Sequence, residues 1–192
     1  MKKIFSYSYP KIVKRFALDP AKAAKKVTFK FDPKYDGFAE TNWPDPIITG
    51  NPSQIKDSPN GMGWFAHELT HVVQNYKTGC TVGSSSNWFV EGMATYGDWS
   101  YSPNGDGVIF QDPGAPKSTD SYKDAPPGVG ARFLVWVEKH YSSKIVDKVN
   151  HGCQIGTQAS TTFKSVTGKT VDQLWKAYKA DKKFKISLPL NR

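Results

Sequence analysis

Two histidines four residues apart, His67 and His71, stand inside a segment whose apolar residues recur at spacings of three and four: Trp64, Phe65, Leu69, Val72, Val73 and Tyr76. That period belongs to an α-helix. Residues i and i+4 of a helix share a face, so both imidazoles of HELTH can reach one metal ion. Glu68 lies one residue beyond the first histidine, rotated toward the open side of such an ion, where it can take a proton from bound water. Two neutral imidazoles and one carboxylate suit zinc and leave a fourth position for that water. The chain has only four histidines, and the motif takes two of them.

A third ligand is expected on the next helix, read over Asn87 to about Trp99 from the spacing of Trp88, Phe89, Met93, Tyr96 and Trp99. Glu91 follows His71 by 20 residues, enough for a turn and an antiparallel return. Asp98, seven residues further on a similar face, is the competing ligand. Glu91 is preferred because Trp88, Phe89 and Val90 frame it and would fix its rotamer. Metzincins place a glycine three and a histidine six residues after the second histidine; Gln74 and Lys77 stand there, which excludes that class.

The remaining pattern gives an α+β chain with its strands near the N-terminus. A lysine-rich stretch to about residue 26 has helical spacing. Val27–Phe31 alternates like a half-buried strand, and Pro46–Gly50 and Ser53–Lys56 are weaker strand candidates. Asp57–Gly61 is turn chemistry, and Gly79 is placed to stop the HELTH helix. Residues 101–128 read as a long loop. Helices follow over about 129–141, 143–151 and 158–166, and a last one opens at Thr170, which with Gln173 forms a capping box. The length of 192 residues fits one domain, 1–192. No run of 18 apolar residues offers a membrane span. Six Trp, nine Tyr and eleven Phe argue against general disorder. The opening MKKIFSYSYP has no apolar stretch behind its lysines and is not an intact signal peptide.

The formal charge of +9 is unevenly spread: +5 over residues 1–60, −4 over 61–120 and +8 over 121–192. The chemistry-bearing segment is therefore acidic. The basic flanks read as an outer surface able to contact an anionic matrix or polysaccharide, with nucleic acid disfavoured as the main partner. Cys80 and Cys153 either bridge in an oxidising compartment or sit as two small core residues. Asn104–Gly107 with Asp112 resembles half a calcium loop but reads first as a turn. His140 and His151 read as surface or core residues rather than ligands. Trp88, Phe89, Tyr96 and Trp99 read as core before groove.

HELTHVVQNY, WFVEGMATY, ARFLVWVEKHY and GKTVDQLWKAY occur in that order, preceded by AKKVTFKFDP and IITGNPSQI. This ordered set resembles the basic secretory protein family of plants and bacteria, a group of secreted zinc peptidases, over about residues 20–182. The resemblance implies a zincin-like fold with a sheet packed on the active-site helix, export, and endopeptidase activity on proteins. On that reading His67, His71 and Glu91 bind zinc, and Glu68 is the general base. The chain departs from the family pattern at Thr95, where members commonly carry Asp, and at Pro127, where a Tyr often stands. Tyr96, Tyr122 and Arg132 are the candidates for stabilising an oxyanion, with Tyr96 foremost among them and Arg132 more readily a structural ion pair. Substrate is expected to lie extended along an edge strand from the Pro46–Lys56 region. An inactive zinc-binding protein and a polyanion binder with an accidental HELTH are the rival readings.

Overall fold

The computed structural model describes residues 1–57, 62–77, 79–80, 84–103 and 111–190. It is an α+β arrangement in which a small three-stranded sheet joins a mostly helical chain. Helix α1 (Lys2–Phe16) opens the chain and buries Ile4, Ser8, Ile12 and Phe16, one face at a spacing of four. After a 3-10 turn at Pro20–Lys22 come β1 (Thr28–Phe31), β2 (Ala39–Asn42) and β3 (Ile47–Gly50). Their spatial order is β1-β3-β2, with β1 parallel and β2 antiparallel to β3.

Ser53–Lys56 is not a strand but part of a short helix, α2 (Pro52–Lys56). Asn51 caps it by accepting from the Ser53 amide, and Pro52 supplies a first-turn residue whose missing N–H costs nothing. Nor can the Ile47–Gly50 strand offer an edge to substrate, because it is central and paired on both sides. The third strand, Ala39–Asn42, carries no apolar alternation and was not foreseen; pairing with β3 makes it a strand.

The HELTH residues lie in α3 (Trp64–Gln74), which ends at Asn75 in the left-handed conformation, four residues before the stop expected at Gly79. The turn read at Asp57–Gly61 falls largely outside the described residues. Helix α4 (Asn87–Tyr101) returns against α3, followed by α5 (Pro127–His140), α6 (Ile145–Gln154), α7 (Ala159–Thr167) and α8 (Val171–Ala180). The capping box at Thr170 and Gln173 is formed in both directions. Among the described residues no helix is long and apolar enough to cross a membrane. Cys80 and Cys153 are joined in a disulfide that ties the α3–α4 connection to α6.

Helix α4 is the centre of the molecule, with Phe89, Met93, Tyr96 and Trp99 fully buried. The aromatic series on it is core, as its helical spacing suggested. Two glycines let its neighbours approach. A Cβ on Gly92 would come within 2.9 Å of the Gly130 carbonyl carbon on α5. A Cβ on Gly97 would overlap the Thr70 hydroxyl on α3, with Thr70 Cγ2 at 2.9 Å and Cβ at 3.0 Å. Thr70 sits between the two histidines of HELTH, so this contact sets the α3–α4 spacing where the ligands meet. Gly97→Ala should therefore cost about 2 kcal/mol by overpacking, read as a fall in Tm of about 4–8 °C for a chain of this size, and weaken metal binding in a dye-competition titration.

Candidate metal centre

The face of α3 toward α4 carries His67 and His71, whose Nε2 atoms lie 3.1 Å apart. Glu91 reaches them from the second turn of α4, its Oε2 3.5 Å from His67 Nε2 and 3.7 Å from His71 Nε2. Among the described residues these three form the one group of at least three His, Cys, Asp or Glu side chains close enough to share a metal ion. The circle through the three ligand atoms has a radius of about 2.0 Å, close to the length of a zinc–imidazole or zinc–carboxylate bond. One ion can thus reach all three atoms without a side chain moving. Both histidines are buried, and Glu91 is part-exposed, which leaves one side of the group open.

Electrostatics support the same point. Burial alone would lower the pKa of the His71 imidazolium, but the hydrogen-bonded Glu91 carboxylate, with Glu68 and Gln74, raises it to about 9. Burial likewise pushes the Glu91 carboxyl up, and the two imidazoles overcome it and hold the group far below the usual carboxylate range. With no metal the cluster therefore attracts a proton. A cation in the same place would answer the same negative charge.

Both histidines are held from behind. His71 Nδ1 lies 2.6 Å from Gln74 Oε1, and Gln74 Nε2 donates to the Val90 carbonyl at 2.8 Å. Thr95 Oγ1 lies 3.3 Å from His67 Nδ1, so the residue that departs from the family pattern still faces the histidine. Trp43, just past β2, donates its indole N–H to the His71 carbonyl at 2.7 Å. Glu68 is buried beside the cluster but outside the ligand group. Thr41 of β2 donates to its Oε2 at 2.8 Å, which brings the sheet onto α3 at the residue expected to act as base. Thr41, Trp43 and Gln74 were not foreseen as site residues. Gln74 was the one within reach of spacing, since it is three residues after His71 and shares its face.

The residues considered for oxyanion stabilisation are engaged with other partners. Tyr96 is fully buried and donates its hydroxyl to Glu138 Oε2 at 2.9 Å, which removes it from the catalytic set. Tyr122 donates to Asp172 at 3.1 Å, and burial first, then that carboxylate, raises its phenol to about 12. Arg132 pairs with Asp112 at 2.9 Å and donates to Tyr178 Oη and the Phe184 carbonyl, so it braces the C-terminal segment. Asp98 is fully buried and hydrogen-bonded to the Ser102 hydroxyl; it is not in the ligand group. His140 lies 3.3 Å from Asp181 and packs on Trp136, and His151 is outside the group as well. Asn104–Gly107 lies outside the described residues, and Asp112 is engaged by Arg132.

An α+β fold with two imidazoles and a carboxylate converging between adjacent helices is the architecture of a candidate metalloenzyme. A family model described as BSP, peptidase of plants and bacteria, matches residues 2–178, and the chain belongs to that family. No curated protein and no solved structure gives a match to the chain. Membership in a peptidase family makes a protein or peptide the class of substrate.

Proposed function

We propose that the chain is a secreted, zinc-dependent endopeptidase with a zincin-like active site on the HExxH helix, forming one domain over residues 1–192. The observation that carries this reading is the convergence of His67, His71 and Glu91 ligand atoms on a circle of about 2.0 Å radius, which fits zinc bound by two imidazoles and a carboxylate. Zinc held there would supply a Lewis acid for the scissile carbonyl and lower the pKa of water beside it. Glu68 takes a proton from the attacking water and returns it to the departing amine. Thr41 holds the Glu68 carboxylate by its Oε2 while that exchange occurs. Since β3 is enclosed, the edge assigned to an extended substrate moves to β2, the strand that touches Glu68 and is paired on one side only in the described sheet. Export is supported by the Cys80–Cys153 bridge, since such bridges persist in oxidising compartments. The basic flanks, +5 and +8 around an acidic middle, are assigned to anionic surfaces outside the cell.

The test is metal content with activity. The purified chain should bind about one zinc per molecule, and His67→Ala or Glu91→Ala should lose most of that affinity. A chelator should stop hydrolysis of an unfolded protein substrate, and added zinc should restore it. A folded chain that takes up no zinc sinks the proposal.

A further inference from the structure

Gln74 is fully buried between the two helices that supply the ligands. Both ends of its amide are engaged, and the chemistry of one end fixes the other. The Val90 carbonyl can only accept, so the atom facing it at 2.8 Å is the amide nitrogen. The amide oxygen then faces His71 Nδ1 at 2.6 Å, and because that oxygen only accepts, Nδ1 must carry the proton. In the neutral ring that a metal requires, His71 is left with its lone pair on Nε2, the atom that lies 3.1 Å from His67 Nε2 and 3.7 Å from Glu91 Oε2. His67 has no such constraint from Thr95, because a hydroxyl both donates and accepts.

We infer that Gln74 is a positioning residue with two simultaneous effects: it locks His71 in the Nδ1–H tautomer, and through Val90 it holds the turn of α4 that presents the next residue, Glu91. One neutral side chain thereby sets the aim of two of the three ligands. Asn is one methylene shorter and cannot reach both partners. A carboxylate at this position could take the His71 proton contact but could not donate to Val90. The inference rests on the proposed metal site and concerns how that site is preorganised.

The experiment is zinc affinity measured on the full chain by competition with a chelating dye, with cobalt(II) absorption as a readout of ligand geometry. Gln74→Leu, similar in size, should weaken zinc about 10- to 100-fold and alter the cobalt bands, an effect of the size seen when the partner of a ligating histidine is removed. Gln74→Glu, which restores the acceptor for His71, should recover part of that loss. A folded Gln74→Leu that binds zinc as tightly as wild type overturns the inference while leaving the metal reading intact. A wild-type chain that binds no zinc overturns both. If Gln74→Leu does not fold, nitrogen-15 spectra of the zinc-loaded wild type decide instead: His71 should be protonated at Nδ1 and metallated at Nε2, and metal on Nδ1 overturns the inference.

Discussion

Glu68→Gln should still bind one zinc and hydrolyse protein substrates about 10²- to 10⁴-fold more slowly, the range lost when a positioned general base is removed. The middle of that range corresponds to about 4 kcal/mol of transition-state stabilisation. The substitution is close to isosteric, and the amide oxygen can still accept the Thr41 hydroxyl that now binds Oε2 at 2.8 Å. Since Glu68 lies outside the ligand group, the ion keeps its three protein ligands and loses only the through-space attraction of the Glu68 carboxylate. Zinc titration and initial rates on the same preparation separate the outcomes. Retained hydrolysis would mean that another group accepts the proton. Lost zinc would mean that Glu68 binds the ion or holds the site together.

Glu138→Leu should destabilise the fold by about 3 kcal/mol, the cost of removing one partner from a buried ion pair. Glu138 is 5% exposed; Arg15 Nη2 lies 3.0 Å from its Oε1, and Tyr96 donates to its Oε2. The pair joins the N-terminal helix to α5, with α4 bonded into it. The low end of the range applies because Arg15 keeps Asp147 at 2.8 Å and remains 17% exposed. For a chain of this size the shift in Tm is about 6–12 °C. Tyr96→Phe removes one hydrogen bond from the same network and should cost about 1 kcal/mol. It should leave turnover per folded molecule unchanged, because its hydroxyl faces Glu138. A fall in kcat at full folding would restore Tyr96 to the active site. The double variant should cost less than the sum, since both substitutions break the same contact.

Much of this was legible in the sequence where one face repeats. The helical halves of the chain follow from apolar spacing, and the ligand group follows from HELTH together with the apolar frame around Glu91. The capping box at Thr170 was readable because its two residues are local. What escaped were features decided by partners distant in sequence. Ala39–Asn42 has no strand pattern of its own; it exists because β3 pairs with it. Ser53–Lys56 alternates weakly, and the capping signal in Asn51-Pro52 outweighed that pattern. Gly79 looked like the end of the helix, but Asn75 reached the left-handed conformation first. Tyr96 shares a helix with Glu91, yet five residues of α-helix turn it well away from that face, toward Glu138 on α5. Spacing gives the helix but not the direction of the polar tip.

The bridge between Cys80 and Cys153 closes a loop of 73 residues that includes Glu91 and all of α4 and α5. A single backbone cut anywhere inside that loop leaves the two pieces covalently joined. For a protein that is itself proposed to cut proteins, nicking within this region would leave the apparent mass unchanged on a non-reducing gel. Reduction would then release the fragments, so one sample run both ways distinguishes an intact chain from one that has been clipped and held together.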